Sequence, residues 1–303
     1  MKTKIWGCIL GAVMFASALQ SCQTQVEIPD GAVYPILFGS TETRAVADLD
    51  DLKTNGFKVY AYFQGNVGGS ASFANNVKHA VVEGLDVWSF ETPEYWIPNT
   101  NYWFKAVYPG NAAVVDNNNN DQTLTIADYD IQSQTDVMVA TATASVAENA
   151  TAPTSGSVVN LQFQHLLANV VVKIKAEINV TIQDISLKFV PVKCNYADGR
   201  WEQNTQGNIE KSGVNVALSK GGDYEDVTNG GFLVIPQTTN GDQLLYIRTL
   251  DNKTYEIPIP TITWAAGTKY IYTLTIKQSN ILFNEPTVEI WDEENATGSV
   301  VIK

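Results

Sequence analysis

The sequence contains few side chains of the types that catalyse reactions. Only two histidines occur, His79 and His165, and one of them would have to act as the base of a Ser-His-Asp or Cys-His site. Both lie in or just after apolar, strand-like segments, which favours structural roles. Acidic pairs such as Asp128 with Asp130 could do acid-base chemistry in a cleft, but their polar neighbours are typical of solvated turns. We therefore predict that the protein is not an enzyme.

One acidic segment has a spacing that resembles a calcium-binding loop. Asp116 to Asp121 encloses four consecutive asparagines, and Asp128 follows twelve residues after Asp116. The segment lacks the central glycine and the bidentate glutamate of such loops, whereas Asn and Asp are ordinary turn residues. The sequence therefore predicts a hairpin tip, with no metal and no cofactor.

Cys22 follows a leader-like N-terminus. Basic residues at Lys2 and Lys4 precede an apolar stretch from Ile5 to Leu19, and Leu19-Gln20-Ser21-Cys22 comes next. The pattern resembles the lipobox of bacterial lipoproteins, which implies cleavage after residue 21 and lipidation of Cys22. The alternative is an ordinary secretory leader in which Cys22 is incidental. The apolar stretch is shorter than the roughly 20 residues that a membrane-spanning helix needs.

The remaining cysteine and the net charge bear on disulfide bonding and on the class of partner. With Cys8 in the leader and Cys22 lipidated, Cys194 has no partner for an intramolecular disulfide, and it is either a reactive thiol or a small buried hydrophobe. The formal charge of −13 becomes −15 when Lys2 and Lys4 leave with the leader. Such a field repels phosphates, so nucleic acid is not expected as a partner.

The rest of the chain predicts an all-β protein. Thr, Val, Ile and aromatic residues recur, charged residues are only 17%, and short strand patterns such as Ile36–Phe38 and Phe57–Phe63 alternate with turn residues. The Ala-, Thr-, Ser- and Gly-rich stretch 142–157 indicates a linker. We predict a signal peptide at 1–21, a tether at 22–35, and β-sandwich domains at 36–156 and 157–303.

Several local patterns together carry a resemblance to one family. They are Phe38 with Thr43-Arg44-Ala45, Trp88, Tyr95-Trp96, Tyr102-Trp103-Phe104-Lys105-Ala106-Val107-Tyr108-Pro109, Asp136-Val137-Met138-Val139-Ala140, Leu161-Gln162-Phe163-Gln164-His165-Leu166-Leu167, Trp264-Ala265-Ala266-Gly267-Thr268-Lys269-Tyr270, Tyr272-Thr273-Leu274-Thr275-Ile276 and Val288-Glu289-Ile290-Trp291. In order and spacing, this series resembles the fimbrillin-like pilus lipoproteins of the Bacteroidales.

The resemblance implies two tandem transthyretin-like β-sandwich domains and assembly with other pilus subunits. It implies an outer-membrane lipid anchor, display at the cell surface or in the fimbrium, and a host or bacterial surface ligand. In polymerising members a protease cuts after an arginine, here Arg44 before Ala45, and the first strand is lost, here Ile36, Leu37 and Phe38. A neighbour's C-terminal strand fills the gap; the candidate residues here are Val288, Ile290, Val300 and Ile302.

Two alternatives stay open at this stage. Arg44 is either the processing site or an ordinary surface arginine, and a stalk, tip or anchor position is not distinguished. The aromatic residues also fit a surface lipoprotein that binds carbohydrate, because flat rings stack on sugar faces, although strand aromatics are more often core. That set is Trp88, Tyr95, Trp96, Tyr102 and Trp103.

Overall fold

The computed structural model describes residues 24–25, 34–39, 49–65, 70–82, 85–112, 114–115, 124–153, 158–197, 199–278, 281–284 and 286–290. Within these ranges helix is confined to α1 (Leu49–Asn55) and a 3₁₀ turn at Ile131–Ser133. The strands are β1 (Thr24–Gln25), β2 (Leu37–Gly39), β3 (Phe57–Gly65), β4 (Ser70–Val82), β5 (Leu85–Phe90), β6 (Thr100–Tyr108), β7 (Val114–Val115), β8 (Thr125–Asp130), β9 (Met138–Val146), β10 (Val158–Asn160), β11 (Gln164–His165), β12 (Ala168–Ala176), β13 (Val180–Ala197), β14 (Arg200–Leu218), β15 (Glu225–Asp226), β16 (Phe232–Val234), β17 (Gln237–Thr238), β18 (Leu244–Thr249), β19 (Thr254–Pro258), β20 (Thr263–Trp264), β21 (Thr268–Ile276), β22 (Ile281–Phe283) and β23 (Thr287–Ile290). The predicted all-β class is confirmed.

The first sheet contains most strands of the N-terminal half. Its order is β10, β2, β5, β4, β3, β6, β9 and β11, with β1 alongside β4. Successive side chains of a strand point to opposite faces. In β3, Val59 and Ala61 therefore belong to the first core, whereas Tyr60 and Tyr62 belong to the C-terminal core. The central strands are therefore buried on both faces.

The C-terminal half is built on two further sheets. One contains β15, β12, β21 and β22, with β16 beside β12 and β23 beside β21. The other contains β19, β18, β13, β8 and β7, and its longest pairing is the β13–β14 hairpin. Apolar side chains from both sheets form one core, which includes the fully buried Val170, Leu187, Ile247 and Leu274.

The sheets exchange strands across the predicted domain boundary at residue 156. From before it, β7 pairs with β8, and β8 pairs with β13 in the C-terminal half. From after it, β10 and β11 pair with β2 and β9 of the first sheet. The division into 36–156 and 157–303, and the number of tandem domains, therefore stay predictions, because sheet pairing alone does not separate the chain at that point.

Helix α1 lies between β2 and β3 in the chain. Its Leu52 is fully buried in the first core, and the Leu52 carbonyl accepts a hydrogen bond from the Trp88 indole N–H at 3.2 Å. Gly56 ends the helix with φ of +64°, and a Cβ there would lie 2.3 Å from the Val77 carbonyl oxygen. Helix α1 is thus anchored in the core of the first sheet.

Candidate strand-exchange site

Strand β2 lies inside the first sheet and not at its edge. Phe38 is opposite Trp88 in the antiparallel pairing with β5. On the other side, Phe38 is opposite Val159 in the parallel pairing with β10. Because both flanking strands use hydrogen bonds to β2, losing this strand would leave unpaired backbone groups along two facing strands.

Backbone hydrogen bonds continue at both ends of this strand. The Ile36 N–H donates to the Glu94 carbonyl at 2.8 Å. At the other end, the Leu161 N–H donates to the Gly39 carbonyl at 2.8 Å. The segment is therefore held by short contacts to parts of the chain that are far away in sequence.

One face of β2 fills the first core. Ile36 and Phe38 are 1% and 0% exposed. The Phe38 ring meets the rings of Phe90 and Phe104 edge to face, with centroid distances of 5.2 and 5.4 Å. Such pairs add about 0.5–1.5 kcal/mol each to the burial of the rings. Phe38 is thus the main apolar anchor of the strand.

The opposite face of β2 is buried as well. Leu37 is 4% exposed and packs in a small cluster with Ala80, Val87 and Val158. Burial on both faces explains why Ile36, Leu37 and Phe38 are three consecutive apolar residues and not an alternating set. Any segment that replaces β2 must satisfy the same requirement.

Three of the five aromatic residues considered for sugar binding surround this site from within the core, whereas Tyr95 and Trp103 are partly exposed. Trp88, Trp96 and Tyr102 are all 3% exposed or less. The Trp96 and Tyr102 rings lie edge to face at 4.9 Å. Burial raises the pKa of the Tyr102 hydroxyl, although that oxygen accepts a hydrogen bond from the Ile97 N–H at 2.9 Å. These three rings have no free face for a sugar.

Two of the four predicted C-terminal donor residues lie in a described strand, and the other two lie outside the described residues. Val288 and Ile290 belong to β23, which pairs with β21 of the same chain, and Val288 is opposite Tyr270. Val288 is partly buried against the C-terminal core. Val300 and Ile302 lie outside the described residues, as do Cys22, Arg44 and Ala45.

Residues with catalytic potential have structural surroundings. The His165 Nδ1 atom makes a short contact with an Asp136 carboxylate oxygen where β11 meets β9, and His165 is buried. His79 lies against the Trp88 ring at 5.7 Å. Cys194 is fully buried in the C-terminal core. The Asp130 carboxylate caps the 3₁₀ turn by accepting the Gln132 N–H at 3.0 Å.

The described residues contain neither a candidate metal site nor a membrane-spanning helix. Within those residues, no three His, Cys, Asp or Glu side chains lie close enough together to share a metal ion. Nor does any helix in the described ranges have the length and apolar character needed to cross a membrane.

The sequence did not predict that β10 would flank β2. Residues 158–161 were assigned to the second domain, yet they hold β2 through the β10 pairing and the Leu161 N–H. A usable signal was present, because Val158-Val159 and Leu161 are apolar residues directly after a polar linker. What could not be read from that signal was the partner strand, more than a hundred residues earlier.

Comparison with known proteins agrees with this architecture. The sequence profile of the fimbrillin-like family matches residues 43–291. A cell adhesion protein of Bacteroides uniformis has a similar fold, with a TM-score of 0.56 and 17% identity over 87% of this chain and 100% of its own. A fimbrial protein of Bacteroides vulgatus has a TM-score of 0.57 and 19% identity over 85% of this chain and 99% of its own.

A third structure, a cell adhesion protein of Bacteroides ovatus, has a TM-score of 0.51 and 15% identity, over 80% of this chain and 89% of its own. At these identities the structures show a shared fold alone. No protein with a curated description matches the sequence. Since the family profile covers most of the chain, the protein belongs to the fimbrillin-like family.

Proposed function

We propose that this protein is a pilus subunit, displayed at the cell surface or in the fimbrium, that joins its neighbours by exchanging β2 for a strand of another subunit. The observation that carries the proposal is the position of β2, which lies between two strands and is buried on both faces. Removing it would leave a gap that only another apolar β-strand could fill at low cost. Membership of the fimbrillin-like family supports this role.

The proposed trigger is cleavage between Arg44 and Ala45. Both residues follow β2 in the chain and precede α1, which is anchored in the core through Leu52. A cut there would separate residues 22–44 from the rest of the fold, so β2 and the lipid on Cys22 would leave together. Before the cut, acyl chains on Cys22 would hold the protein on the outer membrane.

The geometry of the gap distinguishes between the two donor candidates. The middle residue of any three-residue replacement takes the place of Leu37, whichever way the strand runs, and that position faces Ala80 and Val87. In Val288-Glu289-Ile290 the middle residue is a glutamate, and an unpaired carboxylate buried there would cost several kcal/mol. In Val300-Val301-Ile302 all three are apolar. We therefore assign the donor role to Val300, Val301 and Ile302.

The pairing of β23 with β21 supports the same assignment. Val288 and Ile290 are already paired with Tyr270 and Thr268 of β21. A donor drawn from β23 would have to break these contacts first. Assembly through residues 300–302 therefore leaves the C-terminal sheet intact.

Limited proteolysis tests the trigger and the donor together. A trypsin-like protease should produce a new N-terminus at Ala45, followed by SDS-resistant ladders on electrophoresis. Arg44→Gln should prevent both, and Val301→Glu should allow the cut but prevent the ladders. Glu289→Gln is the matched control and should assemble normally. Ladders that persist in Val301→Glu would refute the donor assignment, and ladders in uncut Arg44→Gln would refute the trigger.

The anchor needs a separate measurement. Metabolic labelling with a palmitate analogue should mark the wild-type protein and not Cys22→Ser. Label that persists in Cys22→Ser would contradict the lipid anchor while leaving strand exchange unaffected.

A further inference from the structure

The sheet formed by β14, β13, β18 and β19 carries a polar pit on the face opposite the core. Ile185, Leu187 and Ile247 point inward and are fully buried, so the residues between them along each strand point outward. The pit has a volume of about 350 Å³, within the range of small-molecule sites. Its walls and floor include Asp184, Ser186, Lys188, Glu210, Tyr246 and Arg248.

Ser186 forms the floor of the pit. It is opposite Glu210 of β14 and Tyr246 of β18 in the sheet register. Because serine is short and both neighbours are long, the face is hollow at this position, and Ser186 is only 4% exposed. Among the described residues the Ser186 hydroxyl makes no hydrogen bond, and its oxygen is open to the pit, since it is not one of the buried polar atoms left without a partner. A ligand in the pit would supply one.

The first wall is held in place by neighbours. The Asp184 carboxylate makes a short ion pair with the Arg248 guanidinium and accepts the Gly213 N–H at 2.8 Å. The carboxylate and the guanidinium are both hydrogen-bonding groups with lone pairs or N–H groups to spare. Since their positions are already fixed, binding through them would cost little ordering entropy.

The second wall is fixed in the same way. The Lys188 ammonium lies 2.8 Å from the Glu256 carboxylate and 3.9 Å from the centroid of the Tyr246 ring. Its charge is therefore balanced before any ligand arrives. Glu210 differs, because it is exposed and has no ion pair among the described residues.

The balance of charges selects the class of ligand. Asp184 offsets Arg248 and Glu256 offsets Lys188, which leaves the charge of Glu210 as the excess. An anionic ligand would therefore be repelled. A neutral ligand with several hydroxyl groups fits, because each hydroxyl both donates and accepts hydrogen bonds. The pit offers acceptors at Glu210 and donors at Ser186 to match them.

We infer that this pit is a binding site for a neutral saccharide unit on a surface glycan. The site is separate from β2 and uses none of the aromatic residues around it. It would give a pilus subunit a contact with a glycan, independent of strand exchange between subunits.

A glycan array printed with neutral, sialylated and sulfated glycans tests the inference on the purified protein. Binding to a subset of neutral glycans is expected. Ser186→Leu fills the pit and should abolish binding. Glu210→Gln should weaken binding at least about tenfold, because a hydrogen bond to a charged group is stronger than one to a neutral group. Glu202→Gln, an exposed change on the same strand, is the matched control and should bind normally.

Ser186→Ala distinguishes a loss of glycan binding from a loss of folding. Because the Ser186 hydroxyl makes no hydrogen bond within the described residues, its removal should leave the melting temperature unchanged and still weaken binding. Absence of binding to every neutral glycan, a requirement for sialic acid or sulfate, or full binding by Ser186→Leu would each overturn the proposal. The assembly-deficient Val301→Glu protein should bind the same glycans, so the two proposals fail separately.

Discussion

Strand β2 and the β22–β23 segment are both short strands near an end of the chain, but they are held in different ways. β2 has a neighbour on each side and apolar residues on both faces. β22 and β23 pair only with β21 among the described strands, and Leu282 of β22 is 44% exposed. A strand inside a sheet leaves a gap when it is removed, whereas a strand at an edge exposes only another edge.

The two segments also differ in the continuity of their strand pairing. β22 and β23 pair with β21 as two separate segments, Leu274 to Ile276 for β22 and Thr268 to Ile271 for β23. β2 pairs with both neighbours without any interruption. Only β2 therefore defines a continuous site for a replacement strand.

A change of charge at the centre of each strand gives the largest expected contrast in the free energy of unfolding. Leu37→Glu puts a carboxylate among Ala80, Val87 and Val158 and should lower the free energy of unfolding by about 4 kcal/mol or more. Glu289→Gln, at the centre of β23, should change it by less than about 0.5 kcal/mol. Urea unfolding measures both. Equal effects would mean that β2 is not buried on both faces.

Truncation of the apolar anchors should give the next largest difference. Phe38→Ala removes a ring that contacts two others and should cost about 3–5 kcal/mol. Val288→Ala, at a partly buried position, should cost about 1 kcal/mol. Calorimetric melting of the two variants checks this order. A smaller loss for Phe38→Ala than for Val288→Ala would contradict the comparison.

The smallest expected difference is in the pKa values of two tyrosines, one beside each segment. Burial raises the pKa of Tyr102 beside the β2 site, whereas a hydrogen bond with Thr275, with further contacts to Lys175 and Asn284, lowers the pKa of Tyr224 beside β22. In an NMR titration Tyr224 should therefore ionise before Tyr102. The reverse order would show that Tyr102 is more accessible than the structure indicates.

The raised pKa of Tyr102 also has a consequence for stability. Above the ordinary tyrosine pKa near 10, the unfolded chain loses a proton that the folded state retains. The free energy of unfolding should thus decrease as the pH rises from about 10 through the folded-state value. Tyr102→Phe, which cannot ionise there, should show a weaker decrease over the same range.

The amino-acid sequence by itself determined the all-β class, the short strand at residues 36–38 and the resemblance to the fimbrillin-like family. These features are local or are ordered along the chain, because alternation and turn residues act over a few positions. The structure has the strand of this segment at Leu37–Gly39, and its burial on both faces is seen only in the tertiary structure.

Only the tertiary structure decided which strands meet. Val158 reaches Leu37 across the linker, and Ser186 lies between Glu210 and Tyr246, because sheet register joins residues far apart in sequence. The same pairing placed Trp88, Trp96 and Tyr102 in the core, where the sequence had left a surface role open. Local patterns predict that a strand exists, but its partners depend on how apolar faces from the whole chain pack together.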